Sequence, residues 1–117
     1  MQFNFQKEKT LEERKKEHEK VMKEYPNKVA IICEKAKNSR MMKLDKTKYL
    51  VDKNITLPQF TATIRKKLNL DEREGIFLLA NGKHTLSNNE NISEIYDKFQ
   101  DKDGFLYIAY AAEEFWG

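Results

Sequence analysis

From Phe105 to Tyr110 the chain reads Phe-Leu-Tyr-Ile-Ala-Tyr, an uncharged run opened by the turn pair Asp103-Gly104. A strand with one face in water alternates polar and apolar residues, whereas an unbroken run of aromatic, branched and small apolar side chains fits a strand covered on both faces. Such a strand belongs in the middle of a sheet, and that limits where every other element can go. After it, Glu113 and Glu114 return the chain to water, and the sequence closes on Gly117.

A chain of 117 residues suits one domain, and a domain of this size buries roughly 65% of the surface its unfolded chain exposes. It needs neither disulfide nor metal. We read residues 1–117 as a single unit, with a helical extension over 1–26, a core over 28–110 and a tail over 111–117. Cys33 is the only cysteine, which rules out an internal disulfide and suits a reducing cytosol. The start, Met1-Gln2-Phe3-Asn4-Phe5, lacks the apolar core of a secretion signal. No window approaches the roughly 18 apolar residues of a membrane span, so the expected protein is soluble unless something attaches it to a membrane. The formal charge is only +3, with acids and bases interspersed. That is a poor match to nucleic acid as a partner.

Phe3 and Phe5 stand in a polar leader and are expected to fold back onto something. Thr10-Leu11-Glu12-Glu13 is a capping box, so a helix should run from there to about Glu24, before Pro26. Leu11, His18, Val21, Met22 and Tyr25 fall near one face of it, and Lys15, Lys16, Glu19, Lys20 and Lys23 crowd the rest. Lys28 to Cys33 reads as a buried strand, Lys35 to Lys46 as a basic, solvated connection, and Lys48-Tyr49-Leu50-Val51 as a short strand flanked by charge. Charge of that kind often marks the edge of a sheet.

Thr56-Leu57-Pro58-Gln59 is a second capping box, followed by Phe60, Ile64 and Leu68 at helical spacing. Ile76 to Ala80 is a third strand, and Asn81-Gly82 predicts a tight hairpin into a return strand over Lys83 to Thr85. Asn91-Ile92-Ser93-Glu94 caps a short helix bearing Ile92, Ile95, Tyr96 and Phe99, ahead of the final strand. Paired strands separated by a helix predict an α+β fold, a mixed sheet wrapped around one helix in the β-grasp manner, with an added N-terminal helical unit.

The sequence holds no Gly-rich phosphate loop, paired CxxC knuckles, HExxH or GxSxG. His18 and His84 lie far apart without local ligand partners, and Cys33 closes an apolar strand as a small hydrophobe would. Neither a catalytic site, a metal site nor a cofactor is expected.

Several spaced segments resemble the ubiquitin-like autophagy modifiers, the family of the GABA-A-receptor-associated protein and the microtubule-associated light-chain modifiers. They are Tyr25-Pro26-Asn27-Lys28-Val29, Cys33-Glu34-Lys35-Ala36, Leu44-Asp45-Lys46, Lys48-Tyr49-Leu50-Val51, Gln59-Phe60, Ile64-Arg65-Lys66 and Asp103-Gly104-Phe105-Leu106-Tyr107. The similarity runs from Phe3 to Gly117 and is lower around Lys83 to Asn91. It implies a protein that is the substrate, not the catalyst, of a conjugation in which Gly117 is joined to phosphatidylethanolamine on autophagosomal membranes. An activating enzyme and a conjugating enzyme would carry the glycine as a thioester, and a cysteine protease would expose and later release it. Glycine suits the task because, without a side chain, it stays extended in a narrow channel and leaves its carboxyl carbon open. The plain alternative for Gly117 is a frayed terminus. Family members often carry residues beyond the glycine and this sequence shows none, so either the gene encodes an exposed end or the chain is already processed. The resemblance places the protein in the cytoplasm and, once lipidated, on autophagosomal membranes.

The same resemblance implies a docking groove for receptor peptides with an aromatic-x-x-aliphatic core, added along an edge strand. Leu50 would line one pocket with Glu17, Val21, Ile32, Lys48 and Phe105. Tyr49 and Val51 would face a second with Ile55, Phe60 and Ile64. Lys28, Lys46 and Lys48 would meet the acidic flanks of such peptides. For Ile32 and Phe60 taken singly, the core is the favoured explanation.

Ala30 and Asp52 stand where the family usually has proline, and Thr63 where it has a bulky apolar residue. Asp52 and Thr63 should leave the second pocket shallower and more polar. The basic N-terminal helix would allow contact with tubulin or acidic membranes, against a plain reading as a solvated face. A β-grasp peptide-binding module that is never conjugated is the alternative function. A basic RNA-binding domain fits worse, since the aromatics lie in core-patterned strands.

Overall fold

The computed structural model describes residues 1–113. Two helices, α1 (Asn4–Glu8) and α2 (Leu11–Glu24), precede β1 (Lys28–Lys35) and β2 (Lys48–Asp52). Then follow α3 (Leu57–Lys67), β3 (Ile76–Ala80), β4 (His84–Thr85), α4 (Ile92–Phe99) and β5 (Leu106–Ala112). The sheet order is β2-β1-β5-β3-β4. β5 therefore lies at the centre, parallel to β1 and antiparallel to β3.

Both faces of this central pair are covered. On one, Ile31 and Cys33 of β1 and Leu106, Ile108 and Tyr110 of β5 pack with Leu57, Phe60 and Ile64 of α3 and Ile92 and Ile95 of α4. On the other, Ala30, Ile32, Phe105, Tyr107 and Ala109 pack with Phe3, Phe5, Val21 and Met22. This is the ubiquitin-like α+β sheet with helices, and the N-terminal unit forms the second layer that the uncharged β5 requires.

Three helices start as the capping signals predict, with the side chains of Thr10, Thr56 and Asn91 accepting from Glu13, Gln59 and Glu94 amides. Asn81 and Gly82 both take positive φ (56° and 73°), the backbone a tight hairpin turn needs. The return strand is only His84–Thr85. β1 and β5 each run two residues beyond their apolar stretches. The parallel pairing Glu34↔Ala109 and Lys35↔Tyr110 extends β1, and Phe77↔Ala111 and Ile76↔Ala112 extend β5.

One helix goes beyond the sequence reading, and one expectation needs correction. The leader holds a helix, α1, that local sequence does not announce, because its amides are met from a distance. The buried Glu34 carboxylate accepts from Asn4 N (2.7 Å) and Phe5 N (3.2 Å). Tyr25 does not join the apolar face of α2. It lies beyond the last helical residue at φ −133°, so helical periodicity no longer aims its side chain, and it is exposed.

No residue of α2 is fully buried. The helix is fastened instead by Arg14, whose guanidinium donates to Asp103 Oδ2 at 2.6 Å. The Tyr107 hydroxyl donates to the same oxygen at 2.5 Å. Asp103 Oδ1 accepts from Phe105 N at 2.8 Å, fixing the turn that launches β5. Gly104 at φ +96° permits that turn, and a Cβ there would come within 2.3 Å of His18 Nδ1.

Candidate functional site

β2 closes one side of the sheet, so among the described residues its outer backbone groups face no further strand. Along it, Lys48 and Leu50 are exposed, Tyr49 is buried and Val51 half-buried. Leu50 pairs with Ala30 in register and so shares the α1/α2 face, whereas Tyr49 and Val51 face α3.

The residues expected around Leu50 come together on one face. Val21, Ile32 and Phe105 belong to a single apolar cluster there. Glu17 on α2 bridges to β2 through Lys48 (2.8 Å) and to Lys9 (2.7 Å). Burial pushes the Glu17 carboxyl up, but the two ammoniums prevail and hold it below its usual range. Ile32 and Phe105 do not form an open wall, since they are 0% and 2% exposed. Phe5 packs edge-on against Phe105 at 5.2 Å, and the Lys48 and Lys9 ammoniums lie 5.0 Å and 5.6 Å from the Phe5 ring. The chain's own leader thus shields this site.

The second set divides differently. Phe60 and Ile64 are fully buried and Tyr49 nearly so, its ring edge-on to Phe60 at 6.0 Å and its hydroxyl donated to the Lys46 carbonyl at 2.8 Å. These three are core, and only Val51 and Ile55 remain partly open. Lys46 is exposed, with its ammonium 6.0 Å from the Tyr49 ring. Gly117 lies outside the described residues. Burial pushes the Cys33 thiol far up, so it stays protonated at neutral pH and is a hydrophobe in chemistry as well as in position.

Against known families, the model described as autophagy protein Atg8, ubiquitin like, matches residues 13–117. The chain belongs to the Atg8 family. It is 38% identical to autophagy-related protein 8 of Candida glabrata, over 100% of this chain and 98% of that one. It is 39% identical to the Saccharomyces cerevisiae protein of the same description, covering 99% of it. Among solved structures, that of Trypanosoma brucei ATG8 superposes with a TM-score of 0.90 at 34% identity, over 97% of each chain.

Three residues that the resemblance sets apart from the family pattern, Asp52, Thr63 and Ala30, have these places in the structure. Asp52 accepts an ion pair from Lys28 at 2.6 Å, so that lysine is already engaged. Beside it is an open hollow of about 600 Å³ lined by Asn27, Asp52, Lys53, Asn54, Ile55 and Gln59, mostly polar. Thr63 does not line it. Its hydroxyl donates back to the Gln59 carbonyl at 3.2 Å along the exposed side of α3. Ala30 is buried under the α1/α2 layer. A separate hollow of about 410 Å³ between α2, β1 and α4 shares only Lys28 with the expected groove.

Sequence reasoning missed Phe5, Lys9 and Glu34 as parts of this Atg8-family surface. The available signal was two phenylalanines in a polar leader, which shows that they are buried but not where.

Proposed function

We propose that this Atg8-family chain is a ubiquitin-like modifier, not an enzyme, whose Gly117 carboxyl is joined to the amine of phosphatidylethanolamine. The observation that carries the reading is that the family match, at 38% identity to a full-length relative, runs through Gly117. The fold supports it. β5 is paired with β1 as far as Tyr110 and with β3 as far as Ala112, and Glu113 N donates to the Gly75 carbonyl at 3.0 Å, so the tail follows the central strand of the sheet.

In the reaction the lipid amine attacks the thioester carbonyl of the glycine, an amide bond forms, and the thiol of the conjugating enzyme leaves. An activating enzyme forms the first thioester, and a cysteine protease cleaves the tail. The protein moves between the cytoplasm and autophagosomal membranes. There β2 takes up receptor peptides as an added strand, with an aromatic side chain at the Leu50 side and an aliphatic one at Val51 and Ile55. Ile32, Phe105, Tyr49, Phe60 and Ile64 act as the floor beneath these positions. Entry beside Leu50 requires Lys48 to leave Glu17, after which Lys48 is free to meet the peptide while Glu17 keeps its pair with Lys9. The polar hollow at Asp52 should lower affinity for standard aliphatic anchors, and a titration giving unchanged affinity would contradict this.

Mass spectrometry after incubation with the activating and conjugating enzymes, ATP and phosphatidylethanolamine vesicles tests the conjugation. A lipid-sized mass gain that disappears on deletion of Gly117 is expected. No gain with active enzymes and folded protein would leave an unconjugated peptide-binding module. Leu50→Ala should weaken peptide docking and leave conjugation intact; equal loss of both would show that edge and tail are one surface.

A further inference from the structure

From Lys35 at the end of β1 through the connection to β2, the chain carries Lys35, Lys37, Arg40, Lys43 and Lys46 against one carboxylate, Asp45. The connection has no regular secondary structure, yet it is fastened from beneath. The buried Tyr110 hydroxyl donates to the Met42 carbonyl at 2.7 Å and accepts from Leu44 N at 3.0 Å. The Lys35 ammonium donates to the Ser39 carbonyl at 2.6 Å, and Ser39 Oγ accepts from Met41 N at 3.2 Å. Leu44 is buried and Met41 packs against the core. Met42 between them is 76% exposed, more than any other large hydrophobic residue among those described.

A single exposed apolar residue is ordinary. Here its carbonyl is held by Tyr110, the nearby Met41 and Leu44 are turned inward, and it lines a shallow hollow with Arg40, Leu68, Leu70 and Glu74, while Lys43 lines the neighbouring hollow beside α1. Its place in the fold adds a direction. β1 and β5 are parallel and Ala36 N donates to the Tyr110 carbonyl, so the loop begins where β5 is about to release the tail. Glu74 lines the hollow that holds Arg40 and Met42, and Glu8 and Glu34 line the one that holds Lys43; Asp45 lies in the loop itself, Asp71 and Glu72 in the turn with Glu74, and Glu113 just after β5. Arg65 bonds the Asp71 and Glu74 carbonyls, and the Asp71 and Glu74 carboxylates accept from backbone amides of their own turn.

We propose that residues Lys37–Lys43 form a lipid-contact element, with Met42 entering the head-group region of an anionic bilayer and Lys37, Arg40 and Lys43 meeting its head groups. Cations near an anionic leaflet and a flexible apolar side chain at the boundary attract independently. A contact too weak to recruit the free chain becomes populated once the tail is tethered, because tethering raises its effective concentration. The orientation rests on reading Gly117 as the point of lipid attachment.

The chain supplies its own references. Met22 lies by Lys28, at the other end of β1, and Met1 lies against the Gly82 turn, at the other end of β3. The full chain, labelled with ¹³C at the methionine methyls, would carry an extra cysteine after Gly117 coupled to a maleimide lipid; Cys33 is buried and does not compete. In nanodiscs containing phosphatidylserine and a head-group nitroxide, the Met42 methyl should lose most of its intensity, Met41 less, and Met1 and Met22 least. Neutral discs should largely restore Met42. Arg40→Glu with Lys43→Glu should reduce the lipid-contacting population at least tenfold on anionic discs, given about fivefold per cation removed. Met42 as sharp as Met22, or equally broadened on neutral discs, would overturn the proposal. Since the attachment is chemical, that outcome would leave enzymatic conjugation untouched, and failed conjugation would leave this result standing.

Discussion

The two faces of the sheet are held by different physics. Toward α3 and α4 the layer is aliphatic and aromatic, with Phe60, Ile64, Ile92 and Ile95 fully buried. Toward α1 and α2 the apolar part is an aromatic cluster, Phe3, Phe5, Phe105 and Tyr107. The helix over it contributes no fully buried residue and is held by Arg14–Asp103 and Lys9–Glu17–Lys48. The first layer depends on excluded water and is indifferent to pH and salt over the working range. The second depends on charge placement, so it can be loosened without unfolding the sheet, and the Leu50 side of the proposed docking edge lies beside it.

The largest expected effect is on the first layer. Phe60→Ala should cost about 3–5 kcal/mol of global stability in urea denaturation, with all strands losing protection together. A loss confined to α3 would break the comparison. Asp103→Ala comes next, at about 3 kcal/mol, because it leaves the Arg14 guanidinium and the Phe105 amide without their acceptor. Hydrogen exchange should show α2 opening before β5, and simultaneous exchange of both would mean the two layers are one cooperative unit.

A smaller effect is tied to pH. Burial lowers the His18 pKa, against the raising influence of Asp103 and Glu19. Its Nε2 is buried and has no hydrogen-bond partner among the described residues. The folded value lies below the unfolded one of about 6.5. Stability from the neutral imidazole is therefore present above that value and declines as pH falls toward the folded pKa, since the unfolded chain takes up the proton first. His18→Gln should flatten this slope. A slope that persists would assign the pH response to another group. Glu17, with its pKa lowered from 4.5, acts in a separate, more acidic window, where its contribution is lost as pH falls through the folded value.

The smallest expected effect is that of Glu17→Gln, at most about 1 kcal/mol and less at high salt, since its lysine partners are exposed. If peptide affinity changes far more than stability, the Lys9–Glu17–Lys48 bridge serves access to the edge more than it serves the fold.

How much was legible follows from the range of each interaction. Thr10, Thr56 and Asn91 mark helix starts because a capping box closes within three residues. Asn81-Gly82 marks its turn because the constraint is in the two backbones themselves. The uncharged run Phe105–Tyr110 required a central strand, since no other position removes both faces from water. The candidate edge was readable in kind, as a short strand flanked by charge, and in its two-residue alternation of side chains.

Other features needed contacts across many residues. α1 depends on Glu34, about thirty positions away, and the lengths of β1 and β5 depend on their pairing. Burial of Phe60, Ile64, Tyr49, Ile32 and Phe105 beneath the edge was not separable from groove lining, because both uses call for the same apolar residues at the same spacing. The sequence by itself determined which segments become helix and strand and that the last strand is covered twice, since those follow from local hydrogen bonds and from the pattern of apolar side chains. Only the tertiary structure decided that the leader provides the second cover through Phe3 and Phe5 and that charges rather than fully buried side chains fasten α2 over it. Those depend on which distant groups meet, and the spacing of residues along the chain does not record that.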